Sequence, residues 1–296
     1  MAHEHSHGPA DYNRAFAVGI ALNIAFIVIG VIYGIIANSL ALLADAGHNL
    51  SDVLGLLLAW GATYLSQRKS SERRTYGYRS SSILAALLNA VLLLVAVGGI
   101  AVEAVRRFSE PAHVHGTTII WVAVVGIIIN TATALLFMAG RKSDLNIRGA
   151  FLHMAADAGV SAGVVIAGVA ILLTGWQWLD PIVSLLIAAA ILISTWSLLR
   201  ESVNLALHAV PEGIDPLAVA AYLRALPGVK EVHDLHIWGM STSEAALTAH
   251  LVRPFTQDED ALIAQAVKVL HDQFGIEHTT LQWERDNDSC PSGVAC

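Results

Sequence analysis

The chain has 296 residues, of which 55% are hydrophobic and only 14% charged, with a net charge of −7 and a mean hydropathy of +0.59. A soluble domain carries roughly a quarter charged residues, so this composition argues against a soluble globular protein and favours a membrane protein. The acidic balance, without a basic stripe interleaved with aromatic residues, argues against a nucleic-acid partner.

The first segment, residues 1–14, is polar and contains His3, His5 and His7. It lacks the basic start and short apolar stretch of a secretory signal. We predict a cytoplasmic N-terminal tail whose histidines collect metal ions near the entrance of the protein, an interpretation based on composition alone.

Six apolar stretches follow, each long enough or nearly so to cross a bilayer, which takes about 20 residues. They are Ala15–Ala37, Leu40–Leu65, Ser82–Val105, Thr117–Ala139, Ala150–Leu173 and Pro181–Leu199. We predict a six-span transmembrane domain over residues 15–207. In the alternative topology the polar second stretch is re-entrant, which would move the basic segment RKSSERR to the other side of the membrane.

The basic residues predict the orientation of these spans. With six spans, one side holds Arg14, Arg68, Lys69, Arg73, Arg74, Arg79, Arg141, Lys142, Arg148 and Arg200. The other side holds only Arg106 and Arg107. Because basic residues concentrate in cytoplasmic loops, we expect both termini to face the cytoplasm and the protein to lie in the cell (inner) membrane.

Residues 208–296 alternate short apolar runs with charges and turn residues, which predicts a separate water-soluble domain. Its pattern is αββαβ: a helix near Asp215–Leu226, strands near Val229–Trp238 and Ala246–Val252, a helix near Asp258–Phe274 and a strand near Ile276–Glu284. This order is compatible with a small open-faced α+β sandwich.

Two of the predicted spans carry both histidine and aspartate in their interior, and a charged group costs at least ~2.5–3.5 kcal/mol at the centre of a span. The second span has His48 and Asp52, and the fifth has His153 and Asp157; in both the two residues are four apart and share one helical face. Two such faces together offer two imidazoles and two carboxylates, a complete tetrahedral set whose charge balances a divalent cation. An empty site should take up protons. The alternative is that each pair is an ordinary ion pair on a helix surface.

Asp45 precedes His48 by three residues on the same face, and we predict that it orients an imidazole as an outer-sphere partner of the metal. The tetrapeptide ADAG recurs in the fifth span and would align Asp45 with Asp157 instead. We attribute this recurrence to close helix packing by small residues.

The motifs ADAGHNLSD, RTYGY, ILAALLNA, HMAAD, VHDLHIW and HTTLQWE together resemble the cation diffusion facilitator family, in particular its zinc-transporting branch of bacterial cobalt-zinc-cadmium efflux type. The resemblance implies a homodimer of six-span subunits in the lipid bilayer, with a cytoplasmic ferredoxin-like domain, that exports divalent metal in exchange for protons. It also implies that His48, Asp52, His153 and Asp157 form the transport site.

In the soluble domain the resemblance favours His233, His250, His278 and Glu284 as further metal ligands. Strand alternation places His278 and Glu284 on one face of the last strand, whereas His233 and His236 are three apart and cannot share a face of a regular strand. The alternative is that these are solvated polar positions on an open sheet. We expect His236 to be structural and His271 to be simply exposed.

The chain departs from some members of the family in two places. The segment SQRKSSERRTYGYRS has no His or Asp, so we predict that the extra metal site found there in some relatives is absent. Cys290 and Cys296 do not form the CxxC of some animal relatives.

The sequence therefore predicts a Zn²⁺/H⁺ antiporter that exports zinc, and with it cadmium or cobalt, with zinc also acting as a regulatory ligand. A membrane-bound metal sensor that uses the same sites without net transport is the alternative. An enzyme is not expected, because HExxH and GxSxG are lacking and four ligands close the metal shell.

Overall fold

The computed structural model describes residues 13–66, 68, 70–110, 112–138, 145–254 and 259–285. The tail histidines His3, His5 and His7 and the cysteines Cys290 and Cys296 lie outside these residues. Six long helices come first: α1 (Asn13–Ile36), α2 (Leu40–Ser66), α3 (Ser81–Ser109), α4 (Gly116–Phe137), α5 (Leu145–Thr174) and α6 (Leu179–Ala206). The remaining elements are α7 (Pro216–Arg224), β1 (Glu231–Gly239), β2 (Ala245–Val252), α8 (Glu259–Phe274) and β3 (Ile276–Glu284).

Five of these described helices, α1 and α3 to α6, are long and apolar enough to cross a membrane. The second predicted span corresponds to α2, which has 27 residues but carries Asp45, His48, Asn49 and Asp52 among its apolar residues. The protein is therefore a multi-pass helical membrane protein, and α2 is its polar helix.

The helices and strands form two compact units. The first holds residues up to Leu57 together with Val91–Trp196, and the second holds Leu58–Ala90 together with the residues from Ser197 onward.

In the first unit α4 packs against α5 and α1. Phe26 of α1, Ile119 of α4 and Val164 of α5 are among its fully buried apolar side chains. Gly126 of α4 lies where these helices meet, and a Cβ there would come within 2.6 Å of the Phe26 ring. The close approach of α1 and α4 thus depends on a position without a side chain.

The second unit contains a three-stranded sheet in the order β1-β2-β3. β1 and β2 are antiparallel, whereas β2 and β3 are parallel, as expected when a helix, here α8, crosses between the two strands. On β2, Leu247, Ala249 and Leu251 are buried in a core shared with α7 and α8. Because side chains alternate along a strand, the even-numbered residues of β2 point to the opposite face.

The αββαβ order predicted for the soluble domain is confirmed by these five elements. The strand β1 differs from a regular strand, because its register against β2 shifts between His233 and His236. Asp234 lies within this irregularity with φ of 51°, in the left-handed region that side-chain-bearing residues seldom adopt. The shift is a β-bulge, in which one extra residue of β1 opposes β2.

Candidate metal centres

The four polar residues of the two HxxxD pairs meet between α2 and α5. His48 Nε2 lies 3.2 Å from Asp157 Oδ1, and His153 Nε2 lies 3.2 Å from Asp52 Oδ2. Each imidazole therefore approaches the carboxylate of the other helix. His153 Nε2 is also 3.8 Å from Asp157 Oδ2 on its own helix.

These distances match the requirements of a tetrahedral divalent cation. Zinc bonds of about 2.0–2.1 Å hold neighbouring ligand atoms about 3.3 Å apart, which is close to the two crosswise distances. Ligand atoms of His48, Asp52 and Asp157 all lie within 4.8 Å of one another, and His153 joins them through Asp52. The structure thus brings together all four residues that the sequence singled out.

The acceptor atoms of this cluster are incompletely satisfied by the protein. Among the described residues, Asp52 Oδ2 and Asp157 Oδ2 are buried and accept no hydrogen bond of good geometry. The Asp157 side chain is only 2% exposed. Because an unpaired buried acceptor is costly, the arrangement is suited to a bound cation or to protons on the neighbouring imidazoles.

Asp45 is fully buried, but the contacts of the described residues do not join its carboxylate to an imidazole. Its Oδ2 accepts a hydrogen bond of 3.5 Å from Ser161 Oγ on α5, and Asn49 Nδ2 donates to its backbone carbonyl at 2.9 Å. The Ser161 contact links α2 to α5, and the role of Asp45 in orienting an imidazole remains a prediction.

A second buried polar cluster joins the corner between α1 and α2 to the distant helices α3 and α6. Asp180 accepts hydrogen bonds from the Ser39 hydroxyl at 2.5 Å and from the Leu40 backbone N–H at 2.8 Å. Arg107 lies 3.5 Å from Asp180 and donates to the Asn38 side-chain oxygen at 2.8 Å. Asp180 therefore caps the N-terminus of α2, the helix that carries His48 and Asp52.

The sequence gives little sign of this cluster, because its members are far apart in the chain. Near the end of α3, Arg107 Nε also donates to Glu103 Oε1, four residues before it, at 3.3 Å. Arg106 pairs with Glu110 at 3.1 Å, on the exposed side of the helix. Only the fold turns Arg107 inward toward Asp180.

On the sheet, His233, His250 and Glu284 form a second compact group, with ligand atoms within 4.8 Å of one another. His233 and His250 are direct cross-strand partners on β1 and β2. Glu284 Oε2 lies 3.0 Å from His233 Nε2, and Glu284 Oε1 lies 2.9 Å from His250 Nδ1. Gln282 donates to Glu284 Oε1 at 3.2 Å, which helps to orient the carboxylate.

The atoms of this group approach each other without forming hydrogen bonds of good geometry. In the described part of the chain His233 Nε2, His250 Nδ1 and Glu284 Oε2 are all buried without a hydrogen-bond partner. The spacing of about 3 Å between nitrogen and oxygen suits ligands of one tetrahedral cation. The three side chains are therefore a candidate metal site.

The bulge in β1 adds two residues that sequence reasoning did not assign to this site. Since His233 is opposite His250 and His236 is opposite Thr248, the extra residue brings His233 and His236 to the same face of the sheet. Asp234 lies 2.7 Å from His236 Nε2 and 3.5 Å from His250 Nε2. The only sequence signal was the position of Asp234 between two histidines in HDLH.

The structure does not bring His278, the fourth candidate ligand of the soluble domain, into the His233–His250–Glu284 group. His278 is the register partner of Ala246 on β2, and its ring contacts Tyr76 with 5.4 Å between the ring centroids. Its role as a ligand remains a prediction. His271 is exposed and pairs with Asp272 at 2.9 Å.

The long apolar helices and the buried cluster of imidazoles and carboxylates between them define a membrane transport protein. Comparison with family models identifies the cation efflux transmembrane domain over residues 16–205 and the cytoplasmic domain of cation efflux proteins over residues 211–286. The chain belongs to the cation efflux family, whose members are transporters and not enzymes.

Relatives match this chain over nearly its full length. The zinc transporter ZitB of Escherichia coli is 38% identical and covers 96% of this chain and 93% of its own. The metal cation efflux system protein CzcD of Cupriavidus metallidurans is 37% identical over 95% of this chain and 89% of its own. A Bacillus subtilis protein named as a cadmium, cobalt and zinc/H⁺-K⁺ antiporter is 32% identical, and the match covers 99% of this chain and 95% of that protein.

A solved structure also matches, the metal-bound C-terminal domain of the CzcD transporter. It is 38% identical, with a TM-score of 0.23, and covers 24% of this chain and 99% of its own.

Proposed function

We propose that the protein exports zinc from the cytoplasm in exchange for protons, through the site formed by His48, Asp52, His153 and Asp157. The observation that carries this proposal is the crosswise arrangement, in which each imidazole lies 3.2 Å from the carboxylate of the other helix. The identities of the relatives support it, since they include a zinc transporter and a cadmium, cobalt and zinc/H⁺-K⁺ antiporter.

The donor atoms favour zinc over harder cations. Two imidazole nitrogens and two carboxylate oxygens form a tetrahedral set that suits Zn²⁺, and by softness also Cd²⁺ and Co²⁺. Mg²⁺ and Mn²⁺ prefer oxygen ligands alone. We therefore expect zinc to be the best substrate and magnesium to be excluded.

The exchange for protons follows from the charge of the cluster. Asp52 and Asp157 together carry two negative charges, which a divalent cation balances. When the cation leaves, protons on His48 and His153 restore the same balance through two ion pairs in nearly the same geometry. Because an imidazole binds metal only when it is neutral, metal and protons compete for the same nitrogens, and an inward proton gradient drives metal outward.

The topology that this cycle needs has six spans. If α2 crosses the membrane with the five more apolar helices, the basic loop between α2 and α3 and both termini lie in the cytoplasm of the inner membrane. The protein then consists of a tail (residues 1–14), a transmembrane domain (residues 15–207) and a cytoplasmic domain (residues 208–296) of ferredoxin-like αββαβ form, which forms a homodimer with a second copy.

In the cytoplasmic domain His233, His250 and Glu284, with His278 as a further candidate, bind zinc as a regulatory ligand. Such binding changes transport only if zinc has different affinities for two arrangements of the protein. Their separate position on the sheet fits this role, since they do not belong to the transport site.

The experiment that tests the proposal is zinc flux into inside-out vesicles at fixed membrane potential, with and without a pH difference, repeated with Cd²⁺, Co²⁺, Mn²⁺ and Mg²⁺. Flux should require the pH difference and should be lost in Asp157→Asn. Asp272→Asn, the same change at an exposed carboxylate on α8, is the matched control and should transport normally. Flux that follows the potential and ignores pH would contradict exchange, and metal binding without flux would point to a sensor.

A further inference from the structure

Asp234 has an unusual backbone conformation and lies beside the candidate metal site formed by His233, His250 and Glu284. Its φ of 51° is one that glycine and asparagine adopt more readily than a residue such as Leu or Val. Such conformations persist where surrounding structure enforces them, and they concentrate at functional sites. The bulge at Asp234 turns its carboxylate toward His236 and His250.

The carboxylate of Asp234 lies between two imidazoles. One oxygen is 2.7 Å from His236 Nε2 and the other is 3.5 Å from His250 Nε2. His250 thus faces two carboxylates, with Nδ1 at 2.9 Å from Glu284 and Nε2 toward Asp234. A neutral imidazole carries a proton on one nitrogen and a free lone pair on the other.

We propose that Asp234 is a positioning residue for the cytoplasmic metal site: it accepts the Nε2–H of His250 and so keeps the lone pair of Nδ1 directed at the metal. A metal-binding histidine generally donates its second ring N–H to a carboxylate or carbonyl, which sets its tautomer and orientation. This inference rests on the proposed zinc site of His233, His250 and Glu284. Asp234 does not itself bind the metal in this arrangement.

Two variants separate the carboxylate from the backbone role of Asp234. Asp234→Gly removes the carboxylate but adopts positive φ without strain, so the bulge is retained. Asp234→Asn also tolerates this conformation and keeps a neutral acceptor oxygen. His236→Ala is the matched control, because it removes another imidazole in contact with Asp234 and leaves the contact with His250.

The measurement is zinc binding to the full-length protein in detergent, by calorimetry with a competing chelator. The transport site is disabled by His153→Ala and Asp157→Ala in every sample. Asp234→Gly should bind about 10- to 100-fold more weakly, with unchanged stoichiometry and an unfolding temperature that is unchanged or higher. Asp234→Asn should fall between Asp234→Gly and the parent, and His236→Ala should bind like the parent.

Parent-like affinity in Asp234→Gly would show that the carboxylate does not position His250, and the proposal would be overturned. Loss of a whole zinc equivalent in both Asp234→Gly and His236→Ala would show that Asp234 and His236 are themselves ligands, which also overturns it. If Asp234→Gly fails to fold, the zinc affinity of Asp234→Asn is used instead, and an affinity equal to that of the parent would overturn the proposal. Unchanged binding in His233→Ala with Glu284→Gln would instead reject the zinc site itself.

Discussion

The carboxylate of Asp180 is the position in the helical unit where one substitution should cost most stability. Asp180 is fully buried, and the Arg107 side chain beside it is only 9% exposed. The carboxylate accepts hydrogen bonds from the Ser39 hydroxyl and from the backbone N–H groups of Leu40 and Ala41. Asp180→Ala removes all of these interactions and leaves the Arg107 charge without its buried partner.

The expected loss follows from these contacts. Removing one partner of a buried ion pair costs about 3–5 kcal/mol, and loss of a helix N-cap costs about 0.5–2 kcal/mol. The same carboxylate provides the ion pair and the helix cap, so the two losses are not independent and are not added. We therefore expect Asp180→Ala to lower the free energy of unfolding by about 3–5 kcal/mol. Asp180→Asn keeps an acceptor oxygen for the cap and should lose about 1–3 kcal/mol. In the double variant with Arg107→Leu no buried charge is left unpaired, because the remaining partner of Arg107, Glu103, is partly exposed to solvent, so its loss should be smaller than the sum of the single losses.

The assay is reversible unfolding of the purified protein in mixed micelles, followed by circular dichroism. Asp272→Ala is the control, since this carboxylate is exposed on α8 and its removal should change the free energy of unfolding by no more than about 0.5 kcal/mol. If Asp180→Ala were as stable as Asp272→Ala, the Asp180 carboxylate would not stabilise the protein. If the losses of the two single variants simply added in the double variant, Asp180 and Arg107 would not stabilise the protein as a pair.

Three other outcomes test the two metal sites and the helix packing. Asp157→Asn should reduce zinc flux in proteoliposomes to background while the protein still folds, because His48 loses its charged partner and the cluster can no longer neutralise a divalent cation. Glu284→Gln should weaken zinc binding in the cytoplasmic domain by at least roughly tenfold, measured by calorimetry. Gly126→Val should destabilise the protein by about 1–3 kcal/mol in thermal unfolding, because its side chain would collide with Phe26.

Each of these results has a counterpart that would contradict it. Zinc flux at the parent rate in Asp157→Asn would remove this residue from the transport site. Undiminished affinity in Glu284→Gln would show that the carboxylate charge does not bind zinc. An unaltered unfolding temperature in Gly126→Val would mean that α1 and α4 are not in close contact at this position.

The spacing along single helices was enough to single out the four candidate ligands of the transmembrane site. His48 with Asp52 and His153 with Asp157 are four residues apart, and the regular turn of a helix puts such pairs on one face whatever the surroundings. Long apolar stretches likewise indicated the helices, because each must match the thickness of a bilayer. These properties depend on local geometry, which a sequence carries directly.

The tertiary structure alone decided how these faces meet. The crosswise pairing of His48 with Asp157 and the burial of Arg107 against Asp180 join residues far apart in the chain, and no spacing rule relates them. The bulge at Asp234 depends on the register between two strands, and one extra residue there reverses which side chains share a face. Helical periodicity is a property of the local backbone, whereas contacts between elements arise only when the whole chain packs.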